Sequence, residues 1–119
     1  MLKTILEIQD ASLYFREREV WFCHVGLNLG HEQDGRHEKL LRPVIVLRKF
    51  NKDIFLGLPL TSKVKNDKFH YRLYWNKKGV SWAILSQIRL MDRKRLFRKI
   101  GMISELDNLE LKKKFIALL

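Results

Sequence analysis

Leu41-Arg42-Pro43-Val44-Ile45-Val46-Leu47 and Ile54-Phe55-Leu56-Gly57-Leu58-Pro59-Leu60-Thr61-Ser62 lie on either side of a turn-forming triplet, Asn51-Lys52-Asp53. Two short β-branched and aromatic runs around such a triplet predict a β-hairpin. A three-residue loop, pairing Phe50 with Ile54, puts Arg42 opposite Ser62 and one place from Thr61. A loop of Asn51-Lys52 puts Arg42 opposite Thr61, and a loop of Lys52-Asp53 puts it opposite Lys63. In every register an arginine meets a Thr-Ser pair at the open end of the hairpin. Pro43 holds Arg42 extended and Pro59 cannot donate to a ladder, so both strands change character there. A guanidinium fork beside two hydroxyls on a rigid element suits a phosphate.

The flanking chain reads as further short strands. Glu19-Val20-Trp21-Phe22-Cys23-His24-Val25 is a β-branched and aromatic run that predicts the first core strand. Leu27 to Leu40 is polar and glycine-bearing, a long loop of the kind that carries binding residues. Phe69 to Trp75 alternates as a half-buried strand, Asn76-Lys77-Lys78-Gly79 is a turn, and Val80 to Leu90 supplies one or two more strands. Asp92 is placed to cap a short helix through Phe97, followed by a brief strand at Lys99–Ile103. Ser104-Glu105-Leu106-Asp107 resembles a capping box opening a terminal amphipathic helix, with Leu106, Leu109, Leu111, Phe115 and Ile116 as its apolar stripe. Residues 1–16 read as an N-terminal arm or short helix, and 17–119 as one domain. The pattern predicts a mainly β fold with α (α+β): a small, strongly twisted antiparallel sheet or barrel with a C-terminal helix.

At 119 residues the chain can bury a core without staples. Twenty-four Lys and Arg against thirteen Asp and Glu leave a net charge of +11, which favours a polyanionic partner such as nucleic acid. The lone cysteine, Cys23, precludes an internal disulfide and suits a reducing compartment. No run approaches the ~20 apolar residues of a membrane span. The N-terminus lacks a signal-peptide pattern, so a cytoplasmic protein is expected.

His24, His31, His37, His70 and Cys23 have none of the usual metal-ligand spacings, so no metal and no cofactor is expected. There is no Walker loop, Gly-x-Gly-x-x-Gly or Ser-His-Asp order. Cys23, inside an apolar strand, reads as a core residue. Gly26 to Gly35 reads as a binding flap, and Lys63, Lys65, Lys68, Arg93-Lys94-Arg95 and Arg98-Lys99 as one basic groove. Tyr71, Trp75 or Trp82 is available there to stack a base of single-stranded nucleic acid.

Several segments together resemble the MazF/PemK (Kid) family, the mRNA interferase toxins of type II toxin–antitoxin systems. They are Glu19-Val20-Trp21, the Gly30…Glu32-Gln33…Gly35 loop, Arg42-Pro43-Val44-Ile45-Val46-Leu47, Pro59-Leu60-Thr61-Ser62, Gln87-Ile88-Arg89…Asp92…Arg95-Leu96 and Ile100-Gly101. The resemblance implies an SH3-like barrel with a terminal helix, normally a homodimer. It also implies metal-independent, sequence-selective cleavage of single-stranded RNA by the ribose 2′-hydroxyl, which inhibits translation and growth. A cognate acidic antitoxin would occupy the RNA groove. The family's catalytic arginine falls on Arg42 and its catalytic threonine or serine on Thr61. Ser62, Lys63, Lys65, Glu32, Gln33, Gln87 and Arg89 fall where RNA is bound or oriented. The chain departs from the family at Arg18, where a glycine is usual, and in the added segment Arg36-His37-Glu38-Lys39.

Arg42 suits charge stabilisation on a phosphorane, while an arginine is a poor general base because it stays protonated. Glu32, His31 and His37 are candidates for proton transfer, and the base stays unassigned. Two other functions fit the same chain: a toxin of this barrel class that poisons a topoisomerase, and a non-catalytic nucleic-acid-binding barrel.

Overall fold

A computed structural model of the chain describes residues 14–25, 41–64, 66–76 and 79–119. Among the described residues, the domain holds seven strands and one α-helix: β1 (Glu19–His24), β2 (Leu41–Lys49), β3 (Ile54–Thr61), β4 (His70–Asn76), β5 (Gly79–Ile84), β6 (Arg89–Asp92), β7 (Leu96–Met102) and α1 (Glu105–Ala117). All pairs are antiparallel, in the order β4-β5-β3-β2-β1-β7, with β6 joining β3. β3 is the hub. One edge runs along β2, while the other meets β6 from Ile54 to Gly57 and β5 at Leu60 and Thr61.

The hairpin of β2 and β3 has the three-residue loop. Phe50 N–H donates to the Ile54 carbonyl at 3.0 Å, and the Asn51 side chain accepts from the amides of Asp53 and Ile54 at 2.8 Å each. Near the turn Lys49 pairs with Phe55 and Arg48 with Leu56, but beyond a bulge between Val46 and Arg48 the pairs are Val46–Gly57, Ile45–Leu58 and Val44–Pro59. The extra residue, Leu47, changes the register by one.

Side chains alternate between two apolar clusters. Val20, Ile45, Leu47, Leu58, Leu60, Leu73, Ala83, Leu85, Ile103 and Leu111 form the larger, and Phe15, Trp21, Cys23, Val44, Val46, Phe55, Met91 and Leu96 the smaller. Phe15 is fully buried, its ring 5.0 Å from that of Phe55. Phe15 therefore belongs to the core, while Tyr14 and Arg16 on either side of it are exposed and Tyr14–Arg16 is not helical; Met1–Leu13, the rest of the expected arm, lie outside the described residues. Arg18 takes the conformation its missing glycine would supply, with φ at 76°. Its amide donates to the Val46 carbonyl, its carbonyl accepts from Ile103, both at 2.8 Å, and its Nε reaches the Ile103 carbonyl at 3.1 Å. These bonds offset the ~1–2 kcal/mol that a Cβ costs in the left-handed region.

Three local expectations change. The helix expected after Asp92 is a single 3-10 turn, Arg93–Arg95, because β7 already begins at Leu96. Asp92 does cap it, accepting from Lys94 N–H at 2.8 Å. Ser104 caps α1 by accepting from Asp107 N–H at 3.0 Å, but the Asp107 carboxylate accepts from the Tyr71 hydroxyl instead of reaching back. The buried face of α1 is Asn108, Leu111, Phe115 and Leu118, while Leu106, Leu109 and Ile116 are exposed. Lysines at 112–114 fill the intervening positions, so only the offset stripe can meet the sheet.

The sheet curls until β4 approaches β7, where the ring of Trp75 lies over Gly101. A Cβ at Gly101 would sit 2.6 Å from that ring. Gly101→Ala is expected to cost about 1–3 kcal/mol by overpacking, read as an earlier urea-unfolding midpoint at unchanged slope. Glu19 is buried and accepts from Arg16 N–H and the Trp21 indole, both at 2.9 Å, with Lys99 Nζ at 3.0 Å. Burial alone would raise its pKa, but those donors and the Lys99 charge hold it below the ordinary 4.5. A depressed carboxylate adds stability that is fully present above pH 4.5 and is lost as the pH falls through its folded value. Glu19→Gln should therefore unfold more readily than wild type at neutral pH, with the gap closing in acid.

Candidate functional site

The ladder between β2 and β3 ends at Val44–Pro59; continued two residues further, the same register would set Arg42 opposite Thr61. The bulge therefore shifts the hairpin by one from the register that the loop length alone predicts, which would have met Ser62. Pro43 lacks the N–H that would continue the ladder, and the strands open into a cavity of about 460 Å³. Arg42, Pro43, Leu60, Thr61, Ser62, Lys63 and Ser81 line it. Arg42 is exposed; its backbone partner on the other side is Cys23 of β1. The Thr61 hydroxyl oxygen accepts from the Lys63 amide at 3.2 Å. That contact uses a lone pair and leaves the O–H available to a ligand.

The structure brings Arg42, Thr61, Ser62 and Lys63 to one cavity, whose lining does not include Gln87 or Arg89. Gln87 ends the 3-10 turn Leu85–Gln87, and Arg89 pairs with Gly57, four residues or ~13 Å of strand before Thr61. Both are exposed and neither lines the cavity. Glu32, Gln33, His31, His37 and Lys65 lie outside the described residues, as does the whole flap at 26–40.

The basic groove expected along Arg93–Lys99 is partly taken up in structural contacts. Arg93 Nε lies 3.4 Å from Asp53, Arg95 Nη1 donates to the His24 carbonyl, Arg98 stacks on Phe22 and Lys99 pairs with Glu19. Sequence reasoning missed Ser81, whose hydroxyl accepts from the Trp75 indole at 3.0 Å while lining the cavity. It comes from β5, and non-local pairing leaves no signal in spacing. It also missed the Asp67–His70 contact of 2.6 Å at the entry to β4, which an Asp-x-x-His spacing at a turn foreshadows. Among the described residues no three His, Cys, Asp or Glu side chains gather as a metal site, and no helix is long and apolar enough to cross a membrane.

The model of the PemK-like, MazF-like toxins of type II toxin–antitoxin systems matches residues 16–119. The chain belongs to this family. Among solved structures it is similar to MazF (Form-I) from Deinococcus radiodurans, at 18% identity and a TM-score of 0.65, over 88% of this chain and 96% of that one. No curated protein sequence matches it. The likeness to that crystal structure accords with a MazF-like α+β fold: antiparallel strands in a curled sheet and one C-terminal helix. A toxin of this family has an antitoxin as its partner.

Cys23 stands one ladder position from Arg42, yet burial pushes its thiol up to about 12, against a smaller lowering by Arg95. The thiolate is the reactive form. Ellman's reagent should leave the native protein unlabelled at pH 8 and react fully once guanidinium unfolds it.

Proposed function

We propose that this toxin is a metal-independent endoribonuclease that cleaves single-stranded mRNA, with Arg42 and Thr61 as its catalytic pair. The observation that supports the reading is that Arg42 and Thr61 line one open cavity at the end of the β2–β3 hairpin, where the bulge-shifted register, continued past Val44–Pro59, would bring them opposite one another. The net charge of +11 supports a polyanionic substrate.

In the proposed reaction the ribose 2′-oxygen attacks the adjacent phosphorus and the bond to the 5′-oxygen breaks. The 2′-hydroxyl proton leaves to a base, another proton reaches the departing 5′-oxygen, and the products are a cyclic phosphate and a 5′-hydroxyl. Charge accumulates on the non-bridging oxygens in the transition state, where a preorganised donor has most effect. Arg42 would supply two parallel N–H donors to those oxygens. Thr61, its oxygen already occupied by the Lys63 amide, would donate its O–H to the same phosphate. Ser62 and Lys63 would hold the neighbouring backbone. His31, His37 and Glu32 are the candidates for proton transfer, with the general base left unassigned among them. Arg89, paired with Gly57, would meet a part of a bound strand further from Thr61, and Gln87 would orient the same strand from outside the cavity. The toxin would act in the cytoplasm as a homodimer, restrained by an acidic antitoxin segment in the same groove.

Incubating the purified protein with single-stranded RNA in EDTA should yield fragments with cyclic phosphate and 5′-hydroxyl ends. Arg42→Ala should lower the rate by about 10²–10³-fold or more, the loss typical of a removed oxyanion donor, and Thr61→Ala should also impair cleavage, with thermal melting unchanged. Undiminished cleavage by Arg42→Ala would sink the assignment.

A further inference from the structure

Three aromatic side chains of β4 and β5 stand near the candidate site, and two have structural roles. Tyr71 donates its hydroxyl to Asp107 of α1. Trp75 covers Gly101 and donates to Ser81. Trp82 differs. It is only partly buried, no described side chain or backbone group bonds its indole, and it lines an open cavity of about 710 Å³ with His70, Arg72 and Lys114.

Its place in the ladder ties that cavity to the catalytic pair. Thr61 pairs with Trp82, and Trp82 pairs with Arg72 on its other side. Residues directly opposite one another share a face of the sheet, so Arg42, Thr61, Trp82 and Arg72 form one transverse row across β2, β3, β5 and β4. With strands 4.7–4.9 Å apart, Arg72 stands about 10 Å from Thr61. Arg72 is exposed, its guanidinium 5.6 Å from the ring of the exposed Tyr74. A hydroxyl, a flat indole and a cation in one row can meet a phosphate, the base that branches from the next ribose, and the following phosphate. The described groups bearing charge around the cavity are Lys114 and Arg72 against Asp67, which is already bound to His70.

We propose that Trp82 and Arg72 form a nucleotide subsite beside the scissile phosphate, in which Trp82 stacks on the base flanking it and Arg72 meets the next phosphate. The subsite rests on the RNA-cleaving reading above and adds to it a direction for the bound strand, from Arg42 across β3 and β5 to β4. Stacking on an indole is tolerant of base identity, so the subsite would add affinity and positioning with little sequence preference.

The test uses the full chain and a fluorescein-labelled, random-sequence 2′-O-methyl oligoribonucleotide, which binds without offering the attacking hydroxyl. Trp82→Ala should weaken binding about tenfold, and Trp82→Phe by no more than about threefold. Arg72→Gln should weaken it and flatten the dependence of log affinity on log salt by about one. Tryptophan emission should fall when unlabelled oligonucleotide binds wild type, and that quenching should vanish in Trp82→Phe. The last measurement decides even if Trp82→Ala fails to fold. Wild-type binding together with unchanged affinity in Arg72→Gln and undiminished quenching in Trp82→Phe would overturn the subsite and leave the Arg42–Thr61 reading standing. If the same variants lose only affinity for an acidic antitoxin peptide, the row is a protein-docking surface and the subsite is again overturned. A wild-type protein that neither binds the probe nor cuts RNA overturns both.

Discussion

One extra residue in β2 governs the geometry of this protein. Side chains alternate along a strand, so a slip of one residue exchanges every inward group for an outward one. The three-residue turn at Asn51–Asp53, locked by the Asn51 side chain, starts the hairpin in the register that would bring Ser62 to Arg42. Leu47 then enters the strand unpaired and goes into the larger core. From that point Val44 and Val46 face one apolar cluster and Ile45 the other, and at the open end of the hairpin Arg42 and Thr61 line one cavity. Packing and site placement thus depend on the same irregularity. Removing it would misplace both together.

The rest of the fold holds that hairpin still. β3 is bonded along both edges, and its contact with β6 is close enough that a Cβ at Gly57 would meet the Met91 sulfur at 2.5 Å. The strained turn at Arg18 is bonded both to Val46, next to the bulge, and to Ile103, just before α1. Fixed donors stabilise a transition state because they need no reorganisation as charge develops. A cavity whose walls come from the rigid ends of β2, β3 and β5 meets that requirement better than one built on loops alone.

Much of the fold was legible along the chain. Alternating apolar residues, turn triplets and the Ser104 cap are local signals, and each marks an element close to where it stands. The candidate pair was legible too, since Arg42 and the Thr-Ser step meet under every loop length. The errors share one cause. A helix after Asp92 and a stripe through Leu106, Leu109 and Ile116 follow from local pattern alone, whereas β7 starts early because β1 pairs with it, and α1 is turned by the residues that can reach the sheet. The basic run at Arg93–Lys99 looks like a groove in one dimension, and in three it largely anchors strands to one another.

The sequence by itself determined the elements, the cationic character and the residue types at the end of the hairpin, because propensity, periodicity and charge are properties of neighbours. Tertiary structure decided which residues line the cavity with Arg42, that Gln87 and Arg89 are not among them, and that Trp82 pairs with Thr61 while opening on the neighbouring cavity. A bulge is invisible to composition, and the β3–β5 pairing joins residues some twenty positions apart. Only the folded ladder converts those separations into contact.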